Sequence, residues 1–328
     1  MKIIHREFLP VQTKTVHAAT VEFFNDTPYF SWFGGAREGD TSSSIYLYTP
    51  SKDLKIMGNK DLVPRWNPIL FNYEDRLHLF VKAGEFCDRW QTYVYDLSEW
   101  DDFDPHYNQI LPAGLNGPVK TRPIVIKDDF VLCGSSVETM WDWTSYMEKY
   151  WVRKDHNPTW DFVDRSNPIT VDKQYYFHPS GKKVRTQGII QPSLWEDKDG
   201  TVHAFMRSSY GLGKIYHSHC THLIENDWSK AEPTEFDNPN SGVDTVYHND
   251  SLYLVHNPSI SNRKPLVVSK LDDEFNEVDR LVVESEVRIE DRTYSYELSY
   301  PYMIENKGLL HLVYTYGRSR IEYVTISM

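Results

Sequence analysis

Apolar residues along the chain come in short β-branched or aromatic runs, and a turn of Asp, Asn, Gly or Lys separates each run from a second one. Six stretches share this form: VEFFNDTPYFSWF, ILFNYEDRLHLFVK, PIVIKDDFVLCGS, PSLWEDKDGTVHAFMRS, DTVYHNDSLYLVHN and PYMIENKGLLHLVYT. Each reads as strand, tight turn, strand, because Asn, Asp and Gly tolerate turn dihedrals that β-branched residues resist. The turns fall near Asp26, Asp75, Asp128, Asp199, Asn249 and Asn306, between 49 residues apart (Asp26 to Asp75) and 71 apart (Asp128 to Asp199). A third strand follows each hairpin, in SSIYLY, QTYVYD, SYMEKYWV, KIYHSH, PLVVSK and RIEYVTI. A bulky aromatic comes next in four of them, at Trp100, Trp160, Trp228 and Phe275.

A hairpin that repeats at this period in an all-β chain predicts a propeller of four-stranded antiparallel blades. A pair of β-sandwiches also has regular short strands, but nothing in it requires one hairpin to recur at a near-constant interval. The sixth blade runs out of chain after its third strand. The unassigned KIIHREF, Lys2 to Phe8, is expected to supply the fourth and close the ring. Closure removes the open edges that invite aggregation. The long interval contains KQYYFHPSGKKVRTQG, read as an insertion on the binding rim. Residues 1–328 lack a linker-like or low-complexity stretch and are expected to form one six-bladed domain.

This topology selects candidate chemistry. In an antiparallel hairpin the start of the first strand and the end of the second lie at the same end of the sheet. Across six blades those positions converge on one rim. The strand starts carry His17, Asn67, Arg122, Gln191, Asp244 and Glu297. The second-strand ends and following loops carry Trp32, Arg37, Glu38, Lys82, Ser135, Glu138, Arg207, Asn257, Arg263, Tyr314 and Arg318. Arg offers a planar fork for a carboxylate, and Asn and Gln bridge neighbouring hydroxyls. Trp32 and Tyr314 are expected to lie against a pyranose ring.

Lys and Arg number 35 against 47 Asp and Glu, for a formal charge of −12. That balance argues against a nucleic-acid or anionic-membrane surface. Basic side chains gathered on one rim of an acidic protein therefore point to a local anion, an acidic sugar. The 328 residues are 40% hydrophobic and 14% aromatic, enough for a full core. Cys87, Cys133 and Cys220 form no CxxC pair and suit a reducing, cytoplasmic setting. The opening MKIIHREFLP has no apolar leader core. The histidines show no metal-ligand spacing; His217, His219 and His222 are assigned surface or packing roles. Neither a metal nor an organic cofactor is expected.

HAATVEFFNDTPYFSWFGGAREGD, QPSLWEDKDGTVHAFMRSS, NPNSGVDTV and ELSYPYMIENKGLLHLVYTYGRSRIEYV together resemble the sialidase (neuraminidase) superfamily, in its bacterial BNR-repeat-like branch. The likeness runs from His17 to Ile326. It implies a six-bladed propeller with an exo-acting sugar site on the axis, three arginines gripping a carboxylate, and a Tyr–Glu nucleophile. Arg122, Arg207, Arg263 and Arg318 are the candidates for the arginine cluster. Tyr300 or Tyr314, with Glu297 or Glu138, are the candidates for the pair. The family's Asp-boxes survive only in eroded form, around Asn226-Asp227-Trp228 and Asp272 to Phe275, and its early Arg-Ile-Pro motif is not recognisable.

The leading expectation is an exo-glycosidase in which Glu38 or Glu138 protonates the leaving oxygen and a Tyr activated by Glu297 attacks. Replacing Glu297 with Gln should then cost turnover far more than binding. A second expectation is a lyase cleaving beside glucuronate with His17 as base. A third is a sugar-binding propeller without catalysis.

Overall fold

The computed structural model describes residues 1–57, 61–98, 109–126, 130–153, 159–178, 180–288 and 295–328. Six four-stranded antiparallel sheets stand around a common axis as a β-propeller. After β1 (Lys2–Phe8), the first blade is β2 (Thr15–Phe24), β3 (Thr27–Gly35), β4 (Ser44–Thr49) and β5 (Lys52–Met57). The second is β6 (Arg65–Tyr73), β7 (Arg76–Ala83), β8 (Gln91–Asp96) and β9 (Gln109–Ile110). The third is β10 (Ile124–Ile126), β11 (Phe130–Glu138), β12 (Trp143–Val152) and β13 (Trp160–Arg165). A separate hairpin, β14 (Tyr175–Phe177) and β15 (Lys183–Arg185), occupies the long interval. Blade four is β16 (Ile189–Glu196), β17 (Val202–Ser208), β18 (Lys214–Cys220) and β19 (Glu232–Asp237). Blade five is β20 (Asp244–His248), β21 (Ser251–His256), β22 (Leu266–Leu271) and β23 (Glu277–Glu284). Blade six is β24 (Leu298–Asn306), β25 (Leu309–Tyr316) and β26 (Arg320–Ser327). The N-terminal strand completes this last sheet, pairing with β26 from Lys2↔Ser327 to Phe8↔Glu322, as its spare position predicted.

The hairpin turns follow from the turn residues. Asn25 and Asp26, Glu74 and Asp75, Asn249 and Asp250, and Lys307 and Gly308 all have positive φ. Two consecutive left-handed residues match the twist of the flanking strands. The turn predicted at Asp128 and the aromatic at Trp100 lie outside the described residues. Both eroded box remnants hold turns: Asp272 Oδ1 accepts from the Glu274 and Asn276 amides, and Trp228 Nε1 donates to Asn226 Oδ1 at 2.9 Å.

Four inner strands carry the same irregularity. The register breaks after His17 in β2, after Trp66 in β6, after Ile190 in β16 and after Ser299 in β24. A left-handed residue sits at each break: Ala18, Asn67, Gln191 and Tyr300. Such bulges bend a strand and re-aim the extra side chain. Two of the four are site residues, and the conformation is strained for a non-glycine.

The blades pack through apolar layers, among them a large cluster around Trp32, Phe71, Phe80, Tyr150 and Trp160. Neutral histidines are buried in these layers. Burial lowers His78 to about 4 and His256 to about 3; it also lowers His217 to about 3, with His203 and His219 adding to the effect. The unfolded chain binds these protons near pH 6.5 and the folded one does not, so stability falls as pH drops from that value toward the folded pKa. His256→Gln removes one such group. Its unfolding free energy is expected to fall less steeply than the parent's between pH 6.5 and 4, by up to ~1.4 kcal/mol per pH unit, and its melting temperature to follow. Parallel melting curves for the two proteins would refute this.

Candidate functional site

Loops and strand ends of five blades meet at one mouth of the axis. Arg207, near the end of β17, is almost wholly buried. Its Nε donates to Asn240 Oδ1 at 2.9 Å, and its Nη1 donates to Gln191 Oε1 and Tyr300 Oη, both at 3.0 Å. The guanidinium lies 5.4 Å from the Trp143 ring and 5.6 Å from the Tyr300 ring. Arg263 Nη2 donates to the Asn240 carbonyl at 2.9 Å, and its Nη1 is 3.3 Å from Glu297 Oε2. Glu297 Oε1 also accepts from Arg318 Nε and Ser299 Oγ, each at 2.7 Å. Arg318 Nη1 pairs in turn with Glu38 at the outer edge. Three arginines thus form one arc, which deepens from Glu38 at the rim to Arg207 at the floor.

Tyr300 and Gln191 reach this arc because their bulges turn them into the mouth. Gln191 Nε2 lies 3.2 Å from Glu138 Oε1 and 3.3 Å from the Tyr300 hydroxyl, so one amide links the two. The His17 ring packs against Tyr300 with centroids 4.2 Å apart and planes tilted by 51°. Neither His17 nitrogen has a hydrogen-bond partner among the described residues.

The electrostatics divide the acids into two kinds. Burial by itself raises Glu297, but Arg263 and Arg318, with Ser299, outweigh it and hold the group below the usual carboxylate range. Glu138 is raised: burial dominates, Glu38 adds to it, and Arg207, Gln191 and Ser136 only partly oppose it. One carboxyl is held ionised and the other is biased toward its acid form. His17 is driven well below 6.5 by burial and then by Arg318, Arg263, Arg207 and Lys120, so its imidazole is neutral.

The arc gathers Glu38, Glu138, Gln191, Arg207, Arg263, Glu297, Arg318 and His17 from the expected rim, with Tyr300, which the resemblance had named. Arg37 stands nearby but its side chain is 80% exposed and faces Asp40. Asn257 is buried beneath: its amide donates to the Pro265 and Leu298 carbonyls and accepts from Ser241, bracing the Arg263 loop. Five expectations are corrected. Trp32 is fully buried, stacked on Tyr46 at 6.0 Å. Tyr314 is equally buried and donates its hydroxyl to Glu322. Each lies one residue before Phe33 or Thr315, which pair across from the bulge as Arg207 does with Ile190. Strand alternation therefore sends Trp32 and Tyr314 to the opposite face.

Lys82 holds Arg207's register position in blade two, but its Nζ stays buried without a hydrogen-bond partner among the described residues, and burial lowers it to about 7. Arg122 lines a separate cavity of about 400 Å³ toward the far mouth, with Phe71, Trp195, Asp244 and Glu305. There its Nε lies 3.0 Å from Glu22 Oε2 and its guanidinium 5.5 Å from the Phe71 ring. The error is one of register. Blade three has already entered the axis at Val119, whose amide donates to Gly134 O, so Lys120 occupies the level expected for Arg122. The proposed pairing of Tyr300 with Glu297 is also absent, since the tyrosine hydroxyl meets Arg207 and Gln191, and Glu297 meets two arginines.

Residues missed from the sequence are mostly supports. Asn240 braces two arginines. Lys120 donates to the Val243 and Pro301 carbonyls, and a Cβ on Gly242 would stand only 3.0 Å from its Cε. The NPNSG stretch that contains Asn240 and Gly242 was the available signal. Ser299 and Trp143 gave none. Among the described residues no group of His, Cys, Asp or Glu is arranged to hold a metal.

Comparison with known proteins supplies independent context. A family profile described as a BNR repeat-like domain matches residues 27–312. No curated protein matches the chain. A crystal structure of a protein of unknown function from Dyadobacter fermentans superposes with a TM-score of 0.72 at 12% identity, covering 100% of this chain and 99% of that one. The Hadza microbial sialidase Hz136 gives 0.62 at 10% identity, over 96% of this chain and 66% of its own. Trypanosoma rangeli sialidase in complex with the inhibitor DANA gives 0.65 at 10% identity, over 96% and 55% respectively. At these identities the likeness is one of fold, and the chain spans about two thirds or less of either sialidase.

Proposed function

The chain belongs to the BNR repeat-like domain family, with a sialidase-like propeller fold, and from that premise we propose that it is an exo-acting glycoside hydrolase for a terminal acidic sugar. The observation that carries the reading is the convergence of Arg207, Arg263 and Arg318 beside an acid-biased Glu138 and the Tyr300 hydroxyl. A guanidinium has five donors, and the bonds made to described residues engage two or three of each. The remainder suit a substrate carboxylate, for which charge-assisted paired bonds are the strongest recognition. Glu297 holds Arg263 and Arg318 at a fixed separation.

In this reading Glu138 donates its proton to the glycosidic oxygen as the bond to the anomeric carbon breaks. The Tyr300 oxygen, hydrogen-bonded to Arg207, stabilises the positive charge that develops on that carbon, and water forms the new bond to it. The resulting carboxylate of Glu138 then takes a proton from the incoming water. Glu38 is the weaker candidate for the acid, because Arg318 engages it as an anion.

One observation favours a second reading. His17 is neutral, unpartnered among the described residues and packed against Tyr300, and a neutral imidazole is the state a base needs to remove the C5 proton of a uronate. The two readings differ in product. Incubation with sialyllactose and with glucuronate-terminated oligosaccharides is expected to release the free acidic sugar and a new reducing end, without an ultraviolet-absorbing double bond. An absorbing unsaturated product would establish the lyase instead. Binding without any product would leave a carbohydrate-binding propeller.

A further inference from the structure

An apolar wall stands beside the candidate acid. Met140 and Trp141 lie at the corner of the turn joining β11 to β12 and are 75% and 72% exposed; Phe177, on the inserted hairpin, is 76% exposed. Single exposed apolar side chains are ordinary, but a contiguous patch of large ones marks a surface that is used. The exposure is not that of a loose loop. Thr139 Oγ1 accepts from the Trp141 and Asp142 amides at 3.2 and 2.8 Å. Gln187 Nε2 donates to the Met140 carbonyl at 2.9 Å. Arg185 Nη2 donates to Asp142 Oδ1 at 3.0 Å, and Lys173 Nζ lies 3.2 Å from the same carboxylate.

The pleat fixes which way the hairpin faces. Arg185 pairs with Tyr175, and paired residues share a sheet face. Because Arg185 reaches Asp142, the face carrying Tyr175 and Phe177 is turned toward the Trp141 corner. Tyr176, on the opposite face, packs so closely over Gly211 that a Cβ there would clash. The wall is continuous with the site. Glu138 pairs with Trp143 directly across the base of the turn, and the Trp143 ring lies 5.4 Å from the Arg207 guanidinium.

Resting on the hydrolase reading above, we propose that Trp141 and Phe177 form the subsite for the leaving group, and that its occupant is the pyranose ring attached to the reducing side of the acidic sugar. The acid protonates the leaving oxygen, so the departing sugar lies on the Glu138 side of the mouth, where the wall begins. The apolar C–H face of a pyranose fits an exposed aromatic ring. The flanking Arg185, Lys183 and Asp142 suit its hydroxyls. The protein therefore selects oligosaccharides over the simple acid sugar.

Trp141→Ala and Phe177→Ala test this, and both side chains are exposed enough for folding to be unaffected. Each variant is expected to lose about tenfold in kcat/KM on sialyllactose or a glucuronate-terminated trisaccharide. The corresponding glycosyl fluoride, whose leaving group is not a sugar, is expected to be cleaved at the parent rate. Equal losses on both substrates, or no loss on either, would overturn the subsite while leaving the hydrolase reading intact. Calorimetric titration gives a readout that does not need turnover. The parent is expected to bind the intact oligosaccharide more tightly than the acidic monosaccharide, and Trp141→Ala to erase that gain. An erased gain in a protein that cleaves neither substrate would support the subsite and refute the hydrolase. An unchanged gain would refute the subsite.

Discussion

Arg207→Met is expected to lower kcat/KM on an acidic-sugar substrate by about 30- to 4,000-fold. Truncating one partner of a buried, hydrogen-bonded charge pair costs about 2–5 kcal/mol, and each 1.4 kcal/mol is tenfold. Arg207 does two things at once. It supplies a donor to the bound carboxylate and fixes Tyr300 and Gln191, which both accept from its Nη1. Both KM and kcat should therefore suffer. Glu297→Gln should behave differently, because Glu297 touches Arg263 and Arg318 rather than Tyr300. Its loss loosens the grip on substrate, so KM is expected to rise more than kcat falls. This reverses the sequence-based expectation of a turnover defect. Steady-state kinetics on the three proteins decides it, and a kcat-only effect for Glu297→Gln would restore a direct role in the chemistry.

Glu138→Gln is expected to reduce kcat by about 10²–10⁴-fold on a natural glycoside, the usual value of general acid catalysis. The sign of the pH dependence follows from the raised carboxyl. The acid form is competent, so activity is full below the Glu138 pKa and falls as pH rises through it. Burial shifts that alkaline limb above the ordinary carboxylate range. The Gln variant should lose the limb altogether. It should also keep near-parent activity on a nitrophenyl glycoside, whose leaving group needs no proton. A variant equally impaired on both substrates would remove Glu138 from the acid role. An unaltered pH profile would do the same.

The contrast between Glu138 and Glu297 was not visible along the chain. One opens a predicted first strand and the other closes a predicted second strand, and a pattern of apolar and polar positions treats the two glutamates alike. Burial beside Glu38 raises one, and a clamp of two arginines lowers the other. Lys120 and Arg122 pose the same difficulty in register. They are two residues apart, yet one lies beneath the candidate site and the other toward the far mouth. A shift of one pleat in an inner strand decides which, and no local signal records it.

What the sequence by itself determined was the architecture: six hairpins, four of them described with left-handed turn pairs, a third strand after each, and an N-terminal strand left to close the ring. Turn chemistry and strand periodicity are local properties, carried by neighbouring residues, so they survive in one dimension. It also determined that basic side chains gather at one rim, because hairpin geometry alone puts strand starts and second-strand ends together. Only the tertiary structure decided which of them meet. The bulges at Gln191 and Tyr300 turn those two inward, strand alternation sends Trp32 and Tyr314 into the layers between blades, and Asn240 reaches two arginines from a loop. These outcomes depend on where blades distant in sequence come into contact, and a side chain's partner, burial and charge state exist only once they have.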